Sequence, residues 1–161
     1  MSKNLIVIVT LAVAAFTPSD AFANNEGKLP KDSLPLSAEE TKAVFAGKTI
    51  DWKPAKAYWS ADGTITGYYP VKGQEGFGEG KWSVNGNELC YDMAWHGKDK
   101  TKPFLSNKCE KFFKARNVIW IENTKDEDKY QGDIWNGIEK KLTAGDAVSK
   151  SAKELKAKLG Y

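Results

Sequence analysis

Apolar and polar side chains alternate along most of the chain, from residue 48 to residue 136. The alternating runs are short and are separated by turn residues such as Asp62-Gly63, Lys72-Gly73 and Asn85-Gly86. They predict eight strands, at 48–53, 56–60, 64–71, 78–84, 87–95, 105–114, 117–123 and 129–136. Strands of this length and spacing predict an all-β, antiparallel meander with a barrel-like shape.

The segment Gly76–Trp95 carries the strongest hairpin signal. Asn85-Gly86 is the favoured pair for a two-residue loop between antiparallel strands. A loop formed by those two residues pairs Val84 with Asn87, Trp82 with Leu89, Gly80 with Tyr91, and Gly78 with Met93. The buried face then carries Trp82, Val84, Leu89, Tyr91, Met93 and Trp95, and the outer face carries Glu79, Lys81, Ser83, Glu88, Cys90 and Asp92.

A short helix is predicted before the first strand. Ser37 and Glu40 have the spacing of a capping box, in which each side chain bonds the other residue's backbone N–H. Val44 and Phe45 supply an apolar side, and Gly47 is suited to the end of the helix. The preceding residues 24–36 contain two prolines and no period, so we expect a flexible leader there.

A second helical pattern occupies the C-terminal residues 143–161. Its apolar positions recur at near-helical spacing, at Val148, Ala152, Leu155 and Leu159, with lysines between them. Such a helix either docks on the barrel or lies on an anionic membrane surface. The pattern leaves both readings open.

The first 23 residues have the organisation of a secretory signal peptide. Lys3 precedes a short apolar stretch at residues 5–16, and Ala21-Phe22-Ala23 fits the small-x-small cleavage pattern. We therefore expect cleavage after Ala23 and a periplasmic or secreted protein. The net charge of +3 is mild and does not indicate a nucleic-acid partner.

Cys90 and Cys109 are the two cysteines of the chain, and in an exported protein such a pair predicts a disulfide. If they face each other on neighbouring strands, Leu89 pairs with Glu110 and Tyr91 pairs with Lys108. That pairing would direct two charged side chains toward the core. We therefore expect a β-bulge in one of the two strands, which would shift the alternation by one residue.

Few residues suggest catalysis or metal binding. His96 is the single histidine, and its spacing from Asp92 and Asp99 does not mark a metal site. The predicted register places Glu79 opposite Asp92, about 5 Å apart, as in a retaining glycosidase. That pair would lie on a solvated convex face, so we expect a structural role there, and we expect no cofactor, no metal and no catalytic residue.

The predicted hairpin also suggests a ligand site. Gly78 and Gly80 lie on the inward face opposite large residues, Met93 and Tyr91, which would leave spare volume beside Trp82. We therefore expect any ligand to contact Gly78, Gly80, Trp82, Tyr91 and Met93. The alternative is that the large side chains fill this volume. Likewise, the six tryptophans form either a packed core or an aromatic-lined cavity.

Several short motifs resemble one known family. They include Ala46-Gly47-Lys48, Asp62-Gly63-Thr64, the segment Gly80–Val84, Leu89-Cys90 and the late Gly132–Gly137 segment, together with Cys109. The chain is similar to small exported alphaproteobacterial proteins classified as domain of unknown function 995. The resemblance implies an envelope or periplasmic setting and supplies no catalytic residues. A looser likeness, of architecture alone, is to lipocalin-like barrels.

The predicted function is that of a non-enzymatic binding or envelope-associated protein whose ligand is a small apolar molecule or a glycan. The alternative is a protein-binding inhibitor or assembly factor that uses a rim loop such as 96–103. A carboxylate-dependent hydrolase is the third candidate. The sequence does not indicate the ligand or the oligomeric state.

Overall fold

The computed structural model describes residues 27–126 and 132–161. The predicted signal peptide and the beginning of the predicted leader lie outside the described residues, as do residues 127–131 of the chain. Two α-helices and ten strands are present in the described ranges: β1 (Leu34–Pro35), α1 (Ala38–Phe45), β2 (Lys48–Asp51), β3 (Lys56–Trp59), β4 (Thr64–Tyr69), β5 (Gly76–Asn85), β6 (Glu88–His96), β7 (Phe104–Ala115), β8 (Val118–Asp126), β9 (Ile134–Asn136), β10 (Leu142–Ala144) and α2 (Ser149–Lys158).

The strands form one antiparallel sheet in the order β10-β2-β3-β4-β5-β6-β7-β8-β9, with β1 added beside β7. Consecutive strands from β2 to β9 are neighbours, so the predicted all-β meander is confirmed. The two outer strands, β9 and β10, are joined only by residues 137–141, which include the 3₁₀ turn Ile138–Lys141. Because five residues span a short distance, the sheet curls into a half-barrel whose edges approach each other.

The predicted helix before β2 is confirmed with its capping box. The Glu40 backbone N–H donates to Ser37 Oγ at 3.2 Å, and the Ser37 N–H donates to Glu40 Oε2 at 2.8 Å. These bonds hold the pKa of Glu40 below its usual value, and the bond from the Ser37 backbone N–H has the largest effect. The Phe45 ring packs 4.7 Å from Trp59 and 5.6 Å from Phe112, so α1 covers one end of the half-barrel.

The main core lies on the concave face of the sheet. It is formed by alternate residues of the strands together with α1 and the 3₁₀ turn, and it includes Trp59, Trp82, Leu89, Met93, Phe112, Ile121 and Ile138. The buried face predicted for the β5–β6 hairpin is therefore confirmed at Trp82, Leu89 and Met93.

The pairing within that hairpin differs from the prediction. Asn85 pairs with Glu88, so the two-residue loop is Gly86-Asn87, with Gly86 at φ +61°. The predicted Asn85-Gly86 loop is wrong by one residue. Each residue of β5 consequently pairs with a residue two positions further along β6 than predicted. Trp82, for example, lies opposite Tyr91 instead of Leu89. A shift of two leaves every side chain on its predicted face, because side chains alternate with a period of two.

The end of the predicted leader belongs to the folded domain. Leu34 and Pro35 pair with Lys114 and Phe113 of β7, and Leu36 is buried in the main core. The expectation of a flexible leader therefore does not hold for residues 34–36. Leu36 gains burial, and Leu34 and Pro35 gain a neighbouring strand; these gains offset the entropy of ordering the segment.

The C-terminal helix begins later than residue 143, because residues 142–144 form β10 beside β2. Val148, Ala152 and Phe77 form a buried cluster, with Tyr58, Tyr68 and Leu159 packed against it. Glu79, on the same outer face of the sheet, accepts bonds of 2.7 and 2.9 Å from Lys156 Nζ. The apolar stripe of α2 therefore docks on the sheet.

Cys90 and Cys109 form the predicted disulfide, with an S–S distance of 2.04 Å. Such bonds persist in oxidising compartments, so the protein is typical of those that mature outside the cytoplasm. In residues 27–126 and 132–161, no helix has the length and apolar character needed to cross a membrane.

Candidate ligand-binding cavity

A cavity of about 400 Å³ opens on the concave side of the half-barrel. Its volume lies within the range of sites for small molecules. Phe45 of α1 and Ile138 of the 3₁₀ turn line the cavity together with inward residues of the sheet. The cavity is therefore formed by the curling of the sheet and is partly open to solvent.

Four of the six tryptophans line this cavity. Trp59 is a buried residue of β3, and its ring lies edge-on to Trp82 at 5.7 Å and to Tyr91 at 5.2 Å. The other three, Trp52, Trp95 and Trp135, are partly exposed. Both readings of the tryptophan pattern thus hold in part: Trp59 and Trp82 belong to the packed core, and the partly exposed rings border the cavity.

One side of the cavity is polar. Ser106, Lys108 and Glu110 occupy alternate positions of β7 and all line the cavity, as does Asn123, which lies opposite Glu110 on β8. Alternation along a strand explains why three residues spaced by two share one face. The half-barrel therefore presents tryptophan rings and two charged side chains to the same cavity.

These charges are inside because the β6–β7 ladder is regular. Cys90 pairs with Cys109, Leu89 with Glu110, and Tyr91 with Lys108. The bulge expected between these strands is absent from their pairing, and the expectation is wrong. An irregularity occurs at Cys109/Glu110 on the other side of β7, in its pairing with β8. The charges are accommodated because the concave face at this point borders a cavity instead of packed side chains.

Two buried polar atoms of the cavity lining lack hydrogen-bond partners. They are Nε1 of Trp59 and Oδ1 of Asn123, in residues that are 1% and 8% exposed. An unsatisfied buried donor or acceptor costs about 1–3 kcal/mol. By contrast, Trp82 Nε1 donates to the Ser60 carbonyl oxygen at 2.9 Å. The unpaired donor and acceptor therefore both belong to side chains that border the cavity.

The structure separates the five predicted ligand-binding residues. Tyr91 and Met93 line the cavity, whereas Gly78, Gly80 and Trp82 are not among its lining residues. Trp82 packs in the core beneath it. Alternation identified the inward face but could not show which part of that face is covered. Trp59, Lys108, Glu110 and Asn123 were not among the predicted residues; the conflict of charges at the disulfide was the signal that pointed to Lys108 and Glu110.

The space expected beside the glycines is filled. A Cβ placed on Gly78 would meet the Met93 methyl group and would lie 3.1 Å from Cε3 of Trp95. A Cβ on Gly80 would meet the backbone oxygen of Asp92. Of the two alternatives that the sequence left open, the structure therefore shows the one in which large side chains fill the volume. Trp95 takes part because the two-residue shift in pairing brings it opposite Gly78.

The carboxylate pair considered for hydrolysis is not formed. Asp92 lies opposite Lys81, and Glu79 lies opposite Ala94 and bonds Lys156. His96 stacks on Phe77 with ring centroids 5.0 Å apart. In the part of the chain that the structure describes, no group of three or more His, Cys, Asp or Glu side chains is arranged to hold a metal ion.

A second hollow, of about 710 Å³, lies beside the first at one end of the half-barrel. Its lining comes from the residues that connect β4 to β5 and β6 to β7 and from the adjoining strand ends, which contribute Tyr69, Trp95, His96 and Phe104. Glu75 lies in this hollow, and its pKa is held below the usual value. The main cause is a hydrogen bond from its own backbone N–H; the Gly73 N–H and the charges of Lys98 and Lys158 add to the effect. Trp95 lines both hollows.

The fold and the cavity define a small, disulfide-bonded, all-β half-barrel protein with a partly open cavity of mixed aromatic and polar character. Residues 8–148 match the family described as "protein of unknown function (DUF995)", and because this match spans most of the chain, the protein belongs to that family. The resemblance to that family, noted from the sequence, is thereby confirmed. No curated protein and no solved structure gives a significant match.

Proposed function

We propose that this protein is an exported, non-enzymatic binding protein that holds a small amphipathic molecule in the half-barrel cavity. The unpaired Trp59 Nε1 and Asn123 Oδ1 carry this proposal. Native proteins pair almost all buried polar groups, so two exceptions in one cavity lining require an explanation. A ligand that offers one acceptor and one donor would satisfy both.

The composition of the cavity supports an amphipathic ligand. The rings of Trp52, Trp95 and Trp135 offer flat apolar surface to the body of a small molecule. Lys108 and Glu110 offer charged groups to its polar end. Ligand sites generally combine apolar walls with a few polar groups that fix orientation. A purely apolar ligand would leave the polar side of this cavity desolvated, which is unfavourable.

The disulfide supports export, since such bonds are typical of oxidising compartments. The signal-peptide pattern of residues 1–23 adds to this. Cleavage after Ala23 predicts a periplasmic product whose intact mass corresponds to a chain beginning at Asn24. A full-length product retained in the membrane would contradict export by cleavage.

Native mass spectrometry of protein purified from its own cells tests the proposal directly, because a bound small molecule would appear as an added mass. The cavity can then be probed with the amphipathic dye 1-anilinonaphthalene-8-sulfonate. Trp59→Phe and Asn123→Leu each remove one unpaired polar atom. We expect each to weaken dye or ligand binding by up to about tenfold. Asn123→Leu should leave the stability of the ligand-free protein unchanged or raise it, whereas Trp59→Phe should lower it because packing is lost in the core.

Trp82→Phe is the matched control. It makes the same chemical change as Trp59→Phe, but it removes a satisfied donor in a residue outside the cavity lining. We expect it to lower stability and to leave binding unchanged. The proposal fails if native protein carries no small molecule and if dye binding is equally insensitive to the Trp59 and Asn123 substitutions.

A further inference from the structure

Trp95 is held over two glycines of neighbouring strands. Gly67 of β4, Gly78 of β5 and Trp95 of β6 lie directly opposite one another in the sheet. A Cβ on Gly67 would lie 2.6 and 2.8 Å from Cη2 and Cζ3 of Trp95, and a Cβ on Gly78 would lie 3.1 and 3.2 Å from Cε3 and Cδ2. These four atoms are consecutive members of the six-membered ring of the indole. Together with the Met93 methyl group, the ring occupies the space that side chains at both positions would need.

The two glycines leave a place for an aromatic ring that is not fully covered. Glycines in the middle of neighbouring strands weaken a sheet, because glycine loses much conformational freedom on folding and offers no side chain to pack. Trp95 fills the place that they leave, yet it remains half-buried. Its open surface borders the cavity and also the second hollow. The arrangement thus fixes an indole in position and leaves part of it available for contact.

Hydrogen-bonding groups line the same cavity. Ser106 of β7 lies diagonally across from Trp95, since the residue directly opposite Trp95 is Phe104. Asn123 and Lys141 bring an amide and an ammonium group from β8 and from the 3₁₀ turn. Because these groups belong to three elements, the polar contacts that the cavity offers are not confined to a single point of its lining.

We propose that the ligand of the cavity is a neutral saccharide and that Trp95 is the ring on which the sugar stacks. This inference rests on the proposed binding function and names the class of molecule that is bound. A pyranose ring is amphipathic: C–H groups on its faces pack on an indole, and hydroxyl groups around its edge bond polar side chains. Each hydroxyl both donates and accepts, so it matches the unpaired N–H of Trp59 as well as the unpaired oxygen of Asn123.

Other classes of small molecule match the cavity less well. An acyl chain covers aromatic rings but offers nothing to Ser106, Asn123 and Lys141, and it is unfavourable to leave such groups without water or a partner. A flat aromatic molecule with one hydroxyl stacks on Trp95 but bonds the polar lining at one point alone. A saccharide supplies both the stacking surface and a polar edge, which is the combination that the lining requires.

The test measures binding of glucose, galactose, N-acetylglucosamine, cellobiose and maltose to the predicted mature chain, residues 24–161, by calorimetry and by saturation-transfer difference NMR. Phenol, a flat ring with one hydroxyl, is the aromatic comparison. We expect at least one saccharide to bind with a dissociation constant of about 1 mM or lower, and more tightly than phenol. In the NMR spectra, saturation should be strongest at the C–H protons on one face of the sugar ring.

Substitutions of the stacking ring provide a second measurement. Trp95→Leu should weaken saccharide binding by about tenfold, whereas Trp95→Phe keeps a flat ring and should weaken binding less. Trp135→Leu is the matched control, because Trp135 lines the same cavity but Lys141 Nζ already lies over its ring, 5.7 Å from the centroid. We expect this control to change saccharide affinity by less than about threefold. If the Leu variant at position 95 does not fold, the Phe variant and the NMR spectra of the original protein still decide the question.

The proposal is overturned if none of these saccharides binds at about 1 mM, or if phenol binds more tightly than every saccharide. It is also overturned if Trp135→Leu weakens saccharide binding as much as Trp95→Leu. Dye fluorescence measures the proposed binding function separately. A protein that binds the dye in a manner sensitive to Trp59 and Asn123, but binds no saccharide, retains the binding function and loses the assignment of a sugar.

Discussion

Gly78 lies directly opposite Trp95 in the β5–β6 ladder and directly opposite Gly67 in the β4–β5 ladder. The Trp95 ring extends across both glycines: a Cβ on Gly67 would lie 2.6 Å from Cη2 of Trp95, and one on Gly78 would lie 3.1 Å from Cε3. The absence of two side chains therefore allows a tryptophan to lie flat against the sheet beside the cavity.

Gly78→Ala should destabilise the protein by about 1–3 kcal/mol, because the new methyl group would displace the Met93 methyl group and the Trp95 ring. Gly97→Ala is the control, since the nearest atom to its Cβ is the Glu75 carbonyl oxygen at 3.7 Å. Urea unfolding measures both. Equal stability of the two variants would show that the Trp95 ring does not pack as described.

Replacing Cys90 and Cys109 by alanine should lower the free energy of unfolding by about 2–4 kcal/mol, because the bond restricts the unfolded chain between them. Chemical denaturation of the variant and of the reduced original protein should give similar midpoints. Retention of the original midpoint in the alanine variant would contradict a stabilising role for the bond.

Trp82→Ala should lower stability by about 3–5 kcal/mol. Trp82 is 6% exposed, packs against Trp59 and donates to the Ser60 carbonyl oxygen. Trp52→Ala provides the comparison, because Trp52 is 37% exposed and should change stability by less than about 1 kcal/mol. Thermal and urea unfolding of both variants would show whether the loss of stability depends on how deeply the tryptophan is buried.

Asp146 lies just before α2, and its carboxylate bonds the backbone at the beginning of that helix. Its Oδ1 accepts the backbone N–H groups of Val148 and Ser149, each at 2.9 Å. Burial raises the pKa of Asp146, but these N–H groups and the Ser149 hydroxyl outweigh it and hold the pKa below its usual value. The carboxylate therefore stabilises the folded state above the pKa of the unfolded chain, about 3.9, and this contribution is lost as the pH falls through the lower folded value.

Asp146→Ala should accordingly lower stability by about 0.5–2 kcal/mol at neutral pH. The difference between the variant and the original protein should shrink below about pH 4. Lys153→Ala, on the exposed side of α2, should change little at either pH. A stability difference for Asp146→Ala that is independent of pH would argue against a role for the ionised carboxylate.

Local patterns in the sequence determined the strands from β2 to β9, the buried face of the hairpin, the Ser37–Glu40 capping box and the pairing of Cys90 with Cys109; they did not show β1 and β10. Each of these features depends on residues that are close in sequence or on the alternation of side chains along a strand. Both can be seen in the sequence before the tertiary structure is known. The buried face survived even though the predicted loop was wrong, because a shift of two residues in pairing returns every side chain to the same face.

Tertiary structure decided the features that depend on how the sheet curls. The sequence could not show that Trp95 would cover Gly78, because a one-residue difference in loop position sets the cross-strand partner. The sequence also led us to expect a β-bulge that would keep Lys108 and Glu110 off the concave face. That expectation was wrong because alternation cannot distinguish a packed core from a cavity. Only the curling of the sheet into a half-barrel leaves the open volume in which Lys108 and Glu110 are accommodated.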